Sequence, residues 1–243
     1  YGTSAITAVT AQNTLGVTAI IALSADDVTA QIEAVAGDVT LHATKTGMLA
    51  TAAIVEAVAA AIDEVELPAV VIDPVLVSSS GERLLDQDGL QALVRLLLPR
   101  ARVVTPNIPE AEVLSGIRIV TLDDRRRAAE RIHELGAGAV LITGGHAPDA
   151  GSDVVDLLFD GSRFVELRTP RVAGHSEHGV HGTGCTLASA VAAGLALGND
   201  VQEAARRAQE YVAGALAHTI AVGRGARVLD HFWHKEKHRN LAI

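Results

Sequence analysis

The chain has 243 residues, 49% of them hydrophobic and only 2% aromatic, with a formal net charge of −9. That length fits one large α/β domain, and a core of Ala, Val, Leu and Ile suits helices packed on a parallel sheet whose buried strands read as aliphatic runs. The acidic balance argues against a broad nucleic-acid footprint, although backbone amides can still hold a nucleotide's phosphates; a lone cysteine, Cys185, excludes an intramolecular disulfide.

From the N-terminus, 4–10 and 17–23 read as short β-branched strands joined by the polar loop 11–16. Ser24 with Asp26 and Asp27 marks a helix start, and Gly37 its stop. A strand over 40–45, an Ala-rich helix over 51–65 and a buried strand over 69–73 follow, the last cut by Pro74. The pattern continues with a helix over 87–99, a strand over 101–107 ending at a proline, and a short helix with Pro109 in its first turn. A charged helix begins at Asp123, with Arg125, Arg126 and Arg127 expected on a solvated face, and a strand over 139–143 comes after it. Residues 153–170 read as a hairpin turning at Asp160-Gly161, and the last third as helices over 183–198 and 201–221. Alternating strands and helices predict βαβ units with right-handed crossovers. No repeat or linker divides the chain, so one domain over 1–243 is expected.

No positively charged n-region with an apolar core and cleavage site stands at the start, which predicts no secretion signal. The longest apolar run, 185–197, is too short to span a bilayer and is interrupted by Ser189 and Gly194. A soluble, cytoplasmic protein with no membrane association is expected.

Open α/β sheets bind ligands outside the carboxyl ends of their strands, so the residues that follow each strand carry the argument. They are Asp73-Pro74, then Asn107 to Glu110, then Gly144-Gly145-His146. The glycine-rich turn Gly182-Thr183-Gly184 precedes Cys185 at a helix entrance. Glycines let successive N–H groups converge on one concavity, and a helix N-terminus attracts an anion, typically phosphate. The same field would lower the pKa of Cys185, making it a nucleophile or a proton acceptor; alternatively it packs as a small core residue.

Asp73 and Glu110 on that rim suit Mg²⁺, which takes few protein ligands, with Asn107 near a water or phosphate oxygen. Glu110 could equally be a first-turn carboxylate stabilised by the helix dipole. Gln12 has the donor and acceptor needed to read a pyrimidine edge, or it is a loop residue with Asn13. Met48 offers a flexible apolar wall, or core packing. His146 reads as a loop residue, and His231, His234 and His238 as a mobile tail rather than a metal cluster.

The ordered set "VTAQNTLGV", "TKTGML", "VVIDPVLVSSSGERLL", "VVTPNIPEAEVLSG", "LITGGH", "HGTGCTLASAVAAGLALG" and "GRGARVLDHFWH" resembles the bacterial hydroxymethylpyrimidine/phosphomethylpyrimidine kinases of thiamin biosynthesis, within the ribokinase-like superfamily. The resemblance runs over essentially the whole chain. It implies a three-layer α/β/α ribokinase-like fold with a mostly parallel central sheet and a small β flap, ATP with Mg²⁺, and a small hydroxymethyl acceptor. By position, Gln12 corresponds to a pyrimidine-reading glutamine, with Met48 and Val75 as pocket walls. Asp73 and Glu110 fall in the metal region, with Asn107, Thr143 and Gly145 on the ATP and phosphate side. Gly182, Thr183 and Gly184 match the anion hole, and Cys185 the catalytic-base position. The family's monophosphate product can be phosphorylated again, to the pyrophosphate.

Two departures stand out. Family chains usually begin with a strand, a glycine-rich turn and an Asp, and none precedes Tyr1 here, which predicts a missing or processed start. Many members also carry Lys where Thr143 stands. A pyridoxal/pyridoxine kinase on the same scaffold and a catalytically weak pyrimidine-binding protein are the alternative readings. The strands over 4–23 are expected to pair between subunits in a homodimer.

Overall fold

A computed structural model describes residues 1–78, 81–145, 152–172 and 179–234. Strands β1 (Ala8–Asn13) and β2 (Gly16–Ala22) form an antiparallel hairpin. Helix α1 (Ala25–Ala36) is capped by Ser24, whose side chain accepts from the Asp27 amide. Then come β3 (Thr44–Thr46), α2 (Ala52–Glu64), β4 (Val70–Ile72), α3 (Gln87–Ala92), β5 (Val103–Val104), α4 (Ile108–Ser115), α5 (Leu122–Glu134) and β6 (Val140–Ile142). The chain continues through β7 (Asp153–Phe159), β8 (Phe164–Pro170), β9 (Val180–His181), α6 (Thr183–Ala196), α7 (Val201–Ala217) and β10 (Arg227–Val228).

Six strands make the central sheet in the order β3-β4-β5-β6-β7-β8, parallel as far as β6 and antiparallel from β6 to β8. Period-two alternation splits the core into two layers. Val70, Ile72, Val104, Val140 and Ile142 face one core, shared with Ile54 and Val58 of α2 and Ile132 of α5. Val71, Val103, Leu141 and Leu158 face the other, shared with Leu187 and Val191 of α6 and Ala204, Ala208 and Val212 of α7. This is the expected three-layer α/β/α arrangement. No described helix is long and apolar enough to cross a membrane.

Several elements differ from the sequence reading. Gln12 and Asn13 lie within β1, not in a loop, because a bulge at Ala11/Gln12 carries the strand on to a two-residue turn at Thr14-Leu15. The helix expected over 87–99 holds α-geometry only through Ala92, widens to a π-turn over Leu93–Leu97 and tightens to 3₁₀ over Leu98–Arg100, where Pro99 has no amide to give. The strand over 101–107 forms a ladder only at Val103–Val104, with an isolated bridge from Asn107 to Thr143 beyond it. Arg125 does not share the solvated face of Arg126 and Arg127: it is 3% exposed and donates to the Val155 carbonyl at 2.8 Å. Three arginines in succession cannot all point to solvent at 100° per residue. His231 and His234 are exposed but tethered, since the Tyr211 hydroxyl donates to the His231 carbonyl and the His234 ring meets Tyr211 and Trp233. His146 and His238 lie outside the described residues.

The β1–β2 hairpin stands apart from the sheet. At its tip the Ala226 amide donates to the Thr14 carbonyl at 2.8 Å and the Gly225 amide to the Thr14 hydroxyl at 3.2 Å, while β10 pairs in parallel with β9. A Cβ on Gly225 would fall 2.0 Å from the Thr14 carbonyl oxygen. Gly225→Ala should therefore part the hairpin from this segment. Hydrogen exchange should show the Ala226 amide losing its protection while the sheet amides keep theirs; unchanged protection at Ala226 would contradict the docking.

Candidate active site at the carboxyl edge of the sheet

Parallel β3 and β4 deliver Lys45 and Asp73 to the same edge. Lys45 Nζ lies 3.0 Å from the Asp73 carboxylate, and the Asp73 residue is 4% exposed. A carboxylate that buried needs a partner, and the lysine supplies it. Sequence reasoning singled out the "KTGML" segment for Met48 and passed over Lys45; two parallel strands ending in opposite charges were the available signal.

Cys185 opens α6 just after Gly182, which adopts φ +88 and caps the helix without any side-chain hydrogen bond. The first-turn amides of α6 therefore have no side-chain acceptor and point outward as donors. The cysteine is solvent-accessible, yet its thiol pKa is pushed up to about 11. Desolvation at the site is the largest cause, followed by the Asp73 charge, with Lys45 opposing and a hydrogen bond to Asp73 adding to the rise. This reverses the expected lowering. The helix dipole is a partial charge, whereas Asp73 is a full and buried one.

Asn107 caps α4 through a reciprocal capping box. The Glu110 amide donates to Asn107 Oδ1 at 2.9 Å, and the Asn107 amide donates to Glu110 Oε2 at 2.9 Å. Glu110 is 8% exposed and its pKa is raised from 4.5 to about 7, chiefly by burial, with the Asp73 charge contributing and amides of Asn107 and Leu76 opposing. Two acids thus share one site, with a lysine paired to Asp73.

Beside this cluster lies a cleft of about 320 Å³ lined by Asn107, Thr143, Gly145, Thr183 and Gly184, with Val154, Pro170, Val212 and Leu216 forming an apolar end. Asn107 and Thr143 bridge β5 to β6. The wall is held by Asp156, which sequence reasoning missed. Its carboxylate accepts from the Gly144 amide at 2.7 Å and from Gln209 Nε2 at 2.9 Å, and Gln209 Nε2 also donates to the Leu167 carbonyl. Gly144 is obligatory here, because a Cβ would fall 2.0 Å from the Val155 carbonyl oxygen. A single Asp in an aliphatic strand gives no sign in sequence that it will anchor the neighbouring turn.

On the other side, Gln12 Nε2 lies 3.2 Å from His181 Nε2, so the hairpin reaches the residue before the glycine turn. Met48 is half-buried in a neighbouring groove with Lys45 and Thr46, and its carbonyl accepts from the Thr7 hydroxyl at 2.6 Å. Val75 is half-buried two residues after Asp73. The structure thus gathers Asp73, Glu110, Asn107, Thr143, Gly145 and 182–185 around one edge, with Gln12 approaching from the hairpin and Met48 lying in the adjoining groove. No group of three His, Cys, Asp or Glu among the described residues forms a metal cluster. One or two carboxylates with excess negative charge still suit Mg²⁺, which keeps waters and binds largely through phosphate oxygens; Asp73 and Glu110 fit that description.

This fold is that of the ribokinase-like kinases. A pyridoxal kinase of Bacillus subtilis, solved as an ADP complex, superposes with a TM-score of 0.86 at 34% identity, over 97% of this chain and 87% of that one. The phosphomethylpyrimidine kinase of Clostridium difficile superposes with a TM-score of 0.76 at 38% identity, over 89% and 87%. The profile of the phosphomethylpyrimidine kinase family matches residues 1–230. Similar curated proteins include the hydroxymethylpyrimidine/phosphomethylpyrimidine kinases of Bacillus subtilis, 43% identical over all of this chain and 88% of that protein, and of Streptomyces coelicolor, 46% identical over 96% and 84%. The chain belongs to the phosphomethylpyrimidine kinase family.

Two consequences can be measured. Folding raises the Glu110 pKa, so the folded state holds that proton more tightly, and the stability it contributes below the unfolded value is lost as pH rises to about 7. Urea unfolding should show a decline on the order of 3 kcal/mol across that window. Glu110→Gln, which can still accept in the capping box, should flatten the decline; an unchanged slope would contradict the assignment. Separately, Asp73→Asn should lower the thiol pKa and speed iodoacetamide modification of Cys185 at mildly alkaline pH by roughly tenfold. An unchanged rate would remove Asp73 as a cause.

Proposed function

We propose that the chain, acting as one kinase domain in the cytoplasm, uses ATP with Mg²⁺ to phosphorylate 4-amino-5-hydroxymethyl-2-methylpyrimidine and then its monophosphate, yielding the pyrophosphate for thiamin synthesis. The observation that carries the reading is the junction of the cleft with the Lys45–Asp73–Cys185 cluster at the entrance of α6, whose amides no side chain caps. The apolar end of the cleft accepts the adenine, and its Asn107–Thr143–Gly145 edge receives the phosphates. Gln12 reads the pyrimidine edge, with Met48 and Val75 as apolar walls.

Amides of 182–185 receive the transferring phosphoryl group, fixed in place before the charge develops. Asp73 and Glu110 would hold Mg²⁺, which neutralises charge on the phosphate oxygens. Cys185, protonated through neutral pH, uses its hydrogen to bond Asp73 and so turns a sulfur lone pair toward the acceptor hydroxyl. In a loose transition state that proton leaves late, so orienting the hydroxyl is the first demand on the thiol. As the hydroxyl oxygen bonds the γ-phosphorus and the bond to the ADP leaving group breaks, the hydroxyl proton passes to Cys185 Sγ and the thiol's own proton to Asp73.

Phosphorylated products should form from ATP–Mg²⁺ with hydroxymethylpyrimidine and with its monophosphate; no turnover with either would sink the reading. Cys185→Ala should lower kcat by about 10²–10⁴-fold, and a loss of only a few-fold would make the thiol a packing residue. Pyridoxal phosphorylation is the second reading, favoured by the TM-score of 0.86 to a pyridoxal kinase; turnover of pyridoxal alone would select it. The hairpin exposes Val9, Leu15 and Ile21, and two strands by themselves are marginal in water. A second copy paired on the hairpin would cover them, so sedimentation should give a dimer; a monomer at micromolar concentration would contradict that pairing.

A further inference from the structure

The nucleotide cleft has an unusual charge balance. Asp73, Glu110 and Asp156 are buried around it. Lys45 is committed to Asp73, and buried Arg125 faces Asp156 while donating to the Val155 carbonyl. Thr143, at the end of β6, is neutral. A polyphosphate entering this cleft meets the α6 amides, but the one other charged side chain besides Arg171 among the described residues lining it is the Asp156 carboxylate, so a cation on the open side would favour the anion.

Among the described residues that line the cleft, Arg171 is the sole cation. It lies just past β8, where its own amide donates to the Ser152 carbonyl at 2.8 Å and fixes the backbone. Its guanidinium leans toward the turn after β6, with Nη1 donating to the Gly145 carbonyl at 3.2 Å. It makes no ion pair with any described carboxylate, in contrast to Arg126, Arg163, Arg168 and Arg206, each paired with Asp or Glu. An exposed arginine at a strand end commonly serves only solvation. A side chain steered by a carbonyl over the mouth of an acidic cleft, with its remaining N–H groups unclaimed by described residues, is placed to bind an anion. Its planar fork suits two phosphate oxygens at once.

We propose that Arg171 is the phosphate-binding cation of the nucleotide cleft, clamping the polyphosphate of a nucleoside di- or triphosphate against the N-terminus of α6. The proposal rests on the nucleotide reading given above and adds the residue that distinguishes a phosphorylated nucleotide from a bare nucleoside.

Calorimetric titration of wild type, Arg171→Ala and Arg171→Lys with ADP, ATP and adenosine, at low and high salt and without acceptor, tests it. Arg171→Ala should weaken ADP and ATP by roughly tenfold, leave adenosine within twofold, and flatten the salt dependence of ADP binding. Arg171→Lys should fall between, keeping the charge but losing the fork. ADP affinity within twofold of wild type in Arg171→Ala would overturn the proposal while leaving the kinase reading intact. An equal loss for adenosine would also overturn it, by making Arg171 a wall of the pocket. A wild-type protein that binds none of the three would overturn the nucleotide reading and this proposal with it.

Discussion

The ion pair between Lys45 and Asp73 is the constraint around which the rest of the site is arranged. A carboxylate 4% exposed at the end of β4 is tolerable only beside a cation, and the parallel pairing of β3 with β4 brings that cation to the same edge. The charge of Asp73 reaches two further groups. It contributes to the raised pKa of Glu110 and to that of Cys185. The chemistry of the edge is therefore a property of sheet topology before it is a property of any one side chain. Strands in antiparallel register would put the lysine and the aspartate at opposite ends.

The site has two approaches that meet at the entrance of α6. One is the cleft between the β6–β8 edge and helices α6 and α7, whose wall is tied together by Asp156, Gly144 and Gln209. The other lies under the β1–β2 hairpin, which is held at its base by Thr7 on Met48 and at its tip by Thr14 on the segment before β10. Neither tether uses an apolar core. The hairpin is thus positioned largely by a handful of hydrogen bonds. An acceptor entering under it would meet Gln12 from above and Asp73 with Cys185 from below.

Much of this was legible in the sequence because open α/β sheets collect function at strand ends. Asp73, Asn107, Glu110 and the 182–185 turn were identified by that rule, Thr143 by the family resemblance, and they do converge. Glu110 shows its limit: the metal-region reading and the first-turn reading were both open, and the structure places the carboxylate in a capping box without excluding the other role. The pKa of Cys185 was misjudged in direction because the dipole of its own helix is visible in sequence, whereas its desolvation in the fold and the charge of Asp73, more than a hundred residues away, are not. Arg125 was misplaced because a run of arginines reads as polar, and only the helix phase, fixed by packing on β7, reveals which one turns inward. Gln12 was placed in a loop because a bulge leaves no compositional mark. Asp156, Gln209 and Arg171 carried no local motif; their significance comes from which strands lie side by side.

The claim on which the account turns is that Asp73 and burial hold Cys185 as a thiol at neutral pH, so that it orients the acceptor rather than attacks it. Raman spectroscopy of the wild-type protein follows this directly, since its one cysteine gives one S–H stretching band. The account predicts that the band persists through neutral and mildly alkaline pH and disappears near a pKa of about 11. Loss of the band near neutral pH would mean a thiolate at the entrance of α6 and would contradict it.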